Sequence, residues 1–388
     1  MNHEPTFTFA LSPEGPALTP QSDLWSASVP GSRHDVGRSQ AGGALDGSMT
    51  YGDYFTAARH FLSRDRCAHL CDAAGKTTGR EVTLEDLRRV SVYLVKYGAF
   101  YHPAYVVAEV GECRLPFVLN VAVSSKGHRM IAREHQSLTY LNHRFGKPYW
   151  PRAFGLGAGL DADGRPIPMF LGQWLEGYHE FHLSGACPES RHVVVWDTAR
   201  GHLRLSHDQV LSCLRRAACI LTQAYNPLTF DAIRRWHPAA GDFVVALNED
   251  QISVRMIAVR DYAPIIEDRE PDVAAMLEGL LLFLMEISLK LRLDRLDGIG
   301  RIVCHNRQVV SAICDGFFQG VSAIAPVYGL PGDFDATVRA FIALHDTELL
   351  RSVASSILRN TSAAAGERDL LQHEMEGHLS AFLRAVHA

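Results

Sequence analysis

The sequence predicts an α+β protein, because runs with strand periodicity and runs with helix periodicity follow one another along the chain. Between residues 90 and 96 apolar and polar side chains alternate, which is the pattern of a half-buried β-strand. After Gly127 the apolar residues recur with a period near 3.6, as in an amphipathic helix. The composition is that of a globular chain, since 47% of the 388 residues are hydrophobic and 21% are charged.

The first half of the chain is predicted to be rich in strands after an irregular start. Residues 1–47 are rich in Pro, Gly and Ser and lack a periodic apolar pattern, so we expect a flexible tail. Residues 51–74 fit a short amphipathic helix. Three β-rich runs, 90–96, 104–110 and 117–123, then lie close enough in sequence to form an antiparallel meander.

A second hairpin and a helical second half complete the prediction. The turn Asp161-Ala-Asp-Gly164 separates two further strand-like runs and is a strong hairpin signal. Ser206 and Gln209 have the spacing of a capping box at the start of a helix. Further helices are expected at 271–293 and over most of 331–387, with a β-hairpin near 243–259.

Charge and hydropathy limit the classes of partner. The formal net charge is −5, and duplex nucleic acid requires a clustered basic surface, so we expect no nucleic-acid partner. The most apolar segment, 276–289, contains Glu278 and Glu286 and is too short to span a bilayer, so it predicts a buried helix. No signal peptide is evident and eight scattered cysteines fit a reducing compartment, so the prediction is a cytoplasmic protein without a membrane partner.

Three segments carry chemically informative residues in a fixed order: Phe-Val-Leu-Asn-Val-Ala-Val at 117–123, Met-Phe-Leu-Gly-Gln-Trp-Leu-Glu-Gly at 169–177 and Trp-His-Pro-Ala-Ala-Gly-Asp-Phe-Val-Val at 236–245. Their order, together with the order of strands and helices, resembles the kinase-like fold over residues 90–320. The similarity is greater to the aminoglycoside phosphotransferase and choline kinase branch than to protein kinases.

That resemblance implies a two-lobed molecule. A small N-lobe with an antiparallel sheet would occupy residues 48–177, and a mostly helical C-lobe would occupy residues 178–388. In the N-lobe, Asn120 stands where such enzymes have the lysine that holds the nucleotide phosphates, and Glu134 stands where a glutamate orients that lysine. Gln173 and Trp174 lie where a hinge would bind adenine. The alternatives are a solvent-facing Glu134 and an ordinary buried strand and turn at 169–177.

In the C-lobe, the resemblance implies a metal site and an altered base. Asp242 takes the place of a metal-binding asparagine and Asp261 that of a second metal-binding aspartate, which implies Mg²⁺ on the phosphates of ATP. The general base would be His237 or is absent, and a hydrogen bond from His237 to the loop backbone is the alternative. A second alignment makes Gly241 and Asp242 the catalytic pair and Asn248 the metal ligand.

Three functions follow as hypotheses. The first is an ATP- and Mg²⁺-dependent phosphotransferase, with a nucleotide and an unidentified small polar molecule as partners. The alternative is a pseudokinase-like binding or regulatory protein without turnover, which the asparagine at position 120 and the absent His-x-Asp motif favour. Transfer of a nucleotidyl group is a third hypothesis.

Overall fold

The computed structural model describes residues 4–31, 49–98, 100–197, 199–248, 251–360 and 365–388. It is an α+β structure, as the sequence predicts. The chain divides into two compact units, one made of Met1–Arg144 and Pro151–Glu176, the other of Phe145–Trp150 and Gly177–Ala388.

The first unit contains a six-stranded sheet with strand order β1-β2-β3-β4-β6-β5. Its elements are β1 (Thr6–Ala10), α1 (Tyr51–Thr78), β2 (Leu87–Leu94), β3 (Tyr101–Val110), β4 (Cys113–Ala122), α2 (Ser125–Phe145), β5 (Ala153–Leu160) and β6 (Pro166–Gln173). β2, β3 and β4 pair antiparallel in sequence order, so the predicted meander is confirmed.

The predicted hairpin between β5 and β6 is also present, and its turn residues explain it. The side chain of Asp161 accepts hydrogen bonds from the backbone N–H groups of Asp163 and Arg165, at 3.0 and 2.8 Å. Gly164 has a φ of 80°, a backbone conformation that glycine adopts without steric cost. The turn therefore fixes the antiparallel register of the two strands.

The core of the first unit lies between α1 and one face of the sheet. Tyr54, Phe55 and Phe61 on α1 are fully buried in one cluster with apolar residues of the strands. The contact with β5 is close, because a Cβ atom on Gly159 would lie 1.9 Å from the carbonyl oxygen of Ala57. A glycine at this position is therefore required for the helix to lie on the strand.

The prediction of a flexible tail over residues 1–47 is wrong for its first part. β1 pairs parallel with β2, and the ring of Phe9 lies 5.1 Å from that of Phe55 on α1. The alternation Thr-Phe-Thr-Phe-Ala is a strand pattern, but it is only five residues long and lies within Pro- and Gly-rich surroundings. Residues 1–3 and 32–47 of that prediction lie outside the described residues.

The second unit combines helices with a five-stranded sheet of order β12-β11-β7-β8-β9 and two strand pairs, β10-β13 and β14-β15. Its elements are β7 (His179–Ser184), β8 (His192–Asp197), β9 (Gly201–Arg204), α3 (His207–Gln223), β10 (Asp231–Arg234), β11 (Phe243–Asn248), β12 (Gln251–Met256), β13 (Asp261–Pro264), α4 (Val273–Lys290), β14 (Leu293–Arg295), β15 (Ile302–Cys304), α5 (Val309–Ile324), α6 (Phe334–Ala343), α7 (Thr347–Asn360), α8 (Ala365–His373) and α9 (Met375–His387).

The second unit has more strands than the sequence predicts. The hairpin near 243–259 is confirmed as β11 and β12, but it belongs to a larger sheet because β11 also pairs with β7. The sequence of β7, His-Glu-Phe-His-Leu-Ser, mixes polar and apolar residues without a clear period, so its strand character is hidden. The α3 capping box of Ser206 and Gln209 is confirmed, with a hydrogen bond of 3.2 Å from the Gln209 N–H to the Ser206 hydroxyl.

Close helix packing forms the core of the second unit. A Cβ atom on Gly316 of α5 would lie 2.0 Å from the carbonyl oxygen of Arg215 on α3, so these helices are in direct backbone contact. α4 is largely buried, as the apolar segment 276–289 predicts. By length and composition, Val309–Tyr328 is apolar enough to cross a membrane, but 67% of its apolar window is buried, which is typical of a core helix.

Candidate functional site

Three of the predicted site residues lie on one loop system of the second unit. β10 pairs antiparallel with β13, so that Arg234 lies opposite Asp261. The chain between them forms a 3-10 helix over Pro238–Ala240 and then the β11-β12 hairpin. His237 precedes the 3-10 helix, and Asp242 directly follows the left-handed Gly241 that ends it.

Asp242 is buried and is held by Arg260, a residue that the sequence analysis did not select. Nη2 of Arg260 donates to Oδ1 of Asp242 at 2.6 Å, and Nη1 donates to Oδ2 at 2.7 Å. The Asp242 side chain is only 2% exposed and that of Arg260 is 15% exposed. A bidentate guanidinium–carboxylate contact of this kind is among the stronger polar contacts in proteins.

The same carboxylate also organises the loop backbone. Oδ2 of Asp242 accepts a second hydrogen bond, from the backbone N–H of His237 at 2.8 Å. The carboxylate of Asp242 therefore accepts three hydrogen bonds, one on Oδ1 and two on Oδ2. A Mg²⁺ ion on Asp242 would lie next to the positive charge of the Arg260 guanidinium, and this repulsion disfavours a metal ion there while the contact persists.

Asp261, the second predicted metal ligand, contacts a different arginine. Nε of Arg235 lies 3.3 Å from Oδ2 of Asp261. Arg235 has a φ of 56°, a left-handed conformation that a non-glycine residue rarely adopts. Nη1 of Arg260 donates to the carbonyl oxygen of Arg235 at 3.0 Å, so one guanidinium contacts both the Asp242 carboxylate and the backbone beside Asp261.

His237 acts as the cap of the 3-10 helix. Its Nδ1 accepts the backbone N–H of Ala239 at 3.1 Å, so the proton of the neutral imidazole lies on Nε2. Nε2 lies 3.3 Å from Oε2 of Glu367 on α8. The sequence left two roles open for His237, a general base or a hydrogen bond to the loop backbone. The structure shows the hydrogen bond to the backbone.

The second alignment gives Gly241 and Asp242 the catalytic role and makes Asn248 the metal ligand. Asp242 immediately precedes β11 and Asn248 ends it. Because a strand rises about 3.3 Å per residue, the two residues are roughly 20 Å apart along the strand. The structure therefore separates the residues of this alignment by the length of β11.

Asn120 and Glu134 lie in the first unit. Asn120 is on β4, where it pairs with Pro103 of β3 and Phe170 of β6, and its side chain is half-buried. Glu134 is on α2 and is 3% exposed, so the alternative of a solvent-facing residue is wrong for it. α2 places this glutamate on its buried face together with Ile131 and Leu138.

Gln173 ends β6 of the same unit, and Trp174 directly follows it. The backbone N–H of Gln173 donates to the carbonyl oxygen of Arg152 at 2.8 Å, and its side-chain oxygen accepts the Arg152 N–H at 3.3 Å. The ring of Trp174 lies 4.6 Å from that of Tyr105 on β3. Both residues are thus engaged by neighbouring strands within the first unit.

A buried polar cluster of the second unit was not predicted as a site. Nδ1 of His182 lies 2.9 Å from Oδ1 of Asp294, and its Nε2 lies 3.5 Å from Oε2 of Glu180. Burial acts to lower the pKa of His182, but the two carboxylates outweigh it and raise the pKa to about 9. Oδ2 of Asp294 accepts the backbone N–H of Leu183 at 2.6 Å, so the cluster fixes β7 to β14.

Among the residues with described positions, no three or more His, Cys, Asp or Glu side chains are grouped to hold a metal ion.

The residues missed by sequence reasoning are Arg235, Arg260 and Glu367. Arg260 is adjacent to Asp261, and a positive residue next to a proposed metal ligand was the available signal. Glu367 is 130 positions from His237, and nothing in the sequence links the two.

No known family model matches this chain, and no curated protein matches it either.

Proposed function

We propose that this protein is a kinase-like binding or regulatory protein that does not transfer phosphate. The observation that carries the proposal is the bidentate contact between Arg260 and Asp242. A kinase-like enzyme needs an oxygen ligand for Mg²⁺ at this position. Here the carboxylate at this position binds the positively charged guanidinium of Arg260 instead of a metal ion.

The energetics of burial favour the arginine over a metal ion. Removing one partner from a buried ion pair costs about 3–5 kcal/mol, because the remaining charge is left without compensation. Asp242 is 2% exposed, so its carboxylate depends on Arg260 for that compensation. Binding Mg²⁺ in place of Arg260 would also leave the guanidinium, itself 15% exposed, without its partner.

Two further residues support the absence of turnover. Asn120, at the position of the phosphate-binding lysine, supplies no positive charge. His237 holds the backbone of its own loop through Nδ1. A general base needs a nitrogen within hydrogen-bond reach of the substrate proton, and Nε2 faces Glu367.

Calorimetry and product analysis test this proposal directly. We expect purified protein to form no ADP from ATP in the presence of Mg²⁺, and we expect Mg²⁺ not to tighten ATP binding. Arg260→Gln frees Asp242, so we expect this variant to gain Mg²⁺-dependent binding. Arg216→Gln, at an exposed arginine of α3, is the control, because it removes the same positive charge from the protein. Mg²⁺-dependent turnover by the wild-type protein, abolished by Asp261→Asn, would contradict the proposal.

The second candidate is an ATP- and Mg²⁺-dependent phosphotransferase that acts on a small polar molecule. It is favoured by the pairing of β10 with β13, which draws His237, Asp242 and Asp261 into one loop system. On this proposal Asp242 and Asp261 hold Mg²⁺ and His237 acts as base. The ADP measurement with Asp261→Asn distinguishes the two candidates.

A further inference from the structure

A cavity of about 810 Å³ in the second unit is lined by five arginines. It is bounded by the start of β8, the end of β9, the first turn of α3, β15 with the segment after it, and the junction of α8 and α9. These arginines come from four segments of chain and are Arg191, Arg204, Arg292, Arg301 and Arg307. We call this cavity the arginine pocket.

The charges in the arginine pocket do not balance. Its lining includes two carboxylates, Glu189 and Glu374, against the five arginines. Glu374 lies between Arg292 and Arg307, with contacts of 3.0 and 3.3 Å. Burial opposes its ionisation, but these two arginines lower the pKa of Glu374, so it is charged at neutral pH and compensates them in part.

Three arginines of the pocket remain uncompensated. Arg191, Arg204 and Arg301 have no ion-pair partner within the described part of the chain. Nε of Arg191 is buried and has no hydrogen-bond partner there either. A buried N–H group without a partner is uncommon, because no hydrogen bond offsets the free energy lost when water is removed from it. The arrangement therefore favours an anionic ligand that supplies acceptors.

Arg292 lines the pocket and is held by several polar contacts. This residue is 1% exposed, and its Nη2 donates to the carbonyl oxygen of His305 at 3.2 Å. Its Nη1 lies 3.4 Å from Nδ1 of His378. Burial, together with Arg292, lowers the pKa of His378 to about 3, so the imidazole is neutral and its Nδ1 accepts from the guanidinium.

Arg292 lines the cavity, and its Nε is buried without a hydrogen-bond partner in the described structure.

Cys304 also lines the pocket, and burial raises the pKa of its thiol to about 11. A thiol in this state is not a nucleophile at neutral pH. The pocket is therefore suited to reversible binding rather than to covalent chemistry.

We propose that the arginine pocket binds a small molecule that carries a phosphate or diphosphate group. The planar guanidinium fork matches phosphate oxygens in pairs, and three uncompensated arginines match a ligand with at least two negative charges. The volume lies in the range of small-molecule sites. Val193, Ile302 and Leu370 line the same cavity and provide apolar contacts for the rest of the ligand. This site contains none of His237, Asp242 or Asp261, so the proposal is independent of the function proposed above.

The test is calorimetric titration of the full chain with sodium pyrophosphate and with inorganic phosphate, in low salt and without Mg²⁺. We expect saturable binding that Arg204→Gln and Arg301→Gln each weaken about tenfold, the effect of losing one charged hydrogen-bond contact. Both arginines are exposed, so the variants should fold. Arg359→Gln, at an exposed arginine of α7 outside the pocket, is the control and should bind as the wild type does.

The two probes also identify the ligand type. Tighter binding of pyrophosphate indicates a diphosphate, and equal or tighter binding of phosphate indicates a phosphomonoester. Malonate, a dianion without phosphorus, is the comparison, and tighter binding of malonate would overturn the assignment to phosphate. No saturable binding of either phosphate probe at 10 mM, or binding that Arg204→Gln and Arg301→Gln leave unchanged, would overturn the site itself.

Discussion

Arg260 donates from both terminal nitrogens to the two carboxylate oxygens of Asp242, at 2.6 and 2.7 Å, and also to the carbonyl oxygen of Arg235. The contact joins the residue before β11 to the residue before β13. It therefore fixes the geometry of the loop that carries His237. Within this loop, the arginine that joins the two strand starts is also the group that binds both carboxylate oxygens of Asp242.

The first prediction is that this pair contributes strongly to stability. Arg260→Gln leaves the buried Asp242 carboxylate without its partner, so we expect the free energy of unfolding to fall by about 3 kcal/mol. Arg216→Gln, at an exposed site, should change it by less than about 0.5 kcal/mol. Urea denaturation followed by circular dichroism measures both. Equal stability of the two variants would show that Asp242 does not depend on Arg260.

A double variant separates pairing from packing. Arg260→Gln combined with Asp242→Asn removes both charges and leaves two neutral polar groups. We expect the double variant to lose less stability than the sum of the two single variants, because neither charge is left buried alone. Strict additivity would mean that the two residues act independently.

The second prediction concerns alkaline pH and His182. Asp294 and Glu180 raise the pKa of His182 to about 9, above the value near 6.5 of an unfolded chain. The folded state therefore holds a proton that the unfolded state has released. The resulting stabilisation is complete below pH 6.5 and is lost as the pH rises through 9, a change of about 3 kcal/mol.

Unfolding in urea at pH 6, 7.5 and 9.5 checks this dependence. We expect the stability difference between the wild type and His182→Gln to shrink by about 3 kcal/mol from pH 6 to pH 9.5. His373→Gln, at an exposed histidine of α8, should show no such change. A difference that is constant with pH would mean that His182 is not protonated in the folded protein.

His378 should have the opposite dependence. Burial and the charge of Arg292 lower the pKa of His378 to about 3, so the folded protein holds this imidazole neutral. Below pH 6.5 the unfolded chain binds a proton that the folded chain does not, and stability falls as the pH falls. Between pH 6.5 and pH 5 the loss from this residue is about 2 kcal/mol.

The measurement for His378 is the unfolding midpoint at these two pH values. His378→Gln keeps a polar side chain but cannot titrate, so its stability should decrease less on acidification than that of the wild type. His373→Gln again serves as the control, since it is exposed and five residues away. Identical acid sensitivity of the wild type and His378→Gln would contradict a neutral buried imidazole.

Much of the fold could be predicted where the pattern is local. The β2-β3-β4 meander and the α3 capping box depend on alternation, glycine turns and an N-cap within short windows. The sheet of the second unit could not be predicted in the same way. β7 mixes polar and apolar residues because one of its histidines, His182, is buried by an ion pair with Asp294, which is 112 positions away. No local pattern encodes such a partner.

The candidate site shows the same limit. The sequence identified Asp242 and Asp261 through their order along the chain, and the structure adds an arginine to each of them. Whether a carboxylate binds a metal ion or an arginine depends on which side chains face it in space. Position in a motif predicts where a carboxylate lies but not which partner it has.

The last prediction concerns Gly241, the residue before Asp242. Gly241 has a φ of 71°, and a Cβ atom there would lie 2.8 Å from the carboxylate of Glu180. Gly329 also ends a 3-10 helix in the second unit with a φ of 66°, but a Cβ atom there meets nothing within 4 Å. The two glycines therefore share the backbone penalty and differ in the contact with Glu180.

Gly329→Ala should lower the free energy of unfolding by about 1 kcal/mol, the cost of a left-handed alanine. Gly241→Ala should cost that amount and about 1 kcal/mol more, because it displaces Glu180 from His182 and shifts the start of β11. Thermal unfolding of both variants gives the comparison, and Gly241→Ala should also reduce the pH dependence assigned to His182. Equal costs for the two alanines would mean that Glu180 moves away from Gly241 without disturbing its contact with His182. The loop before Asp242 would then not depend on Glu180.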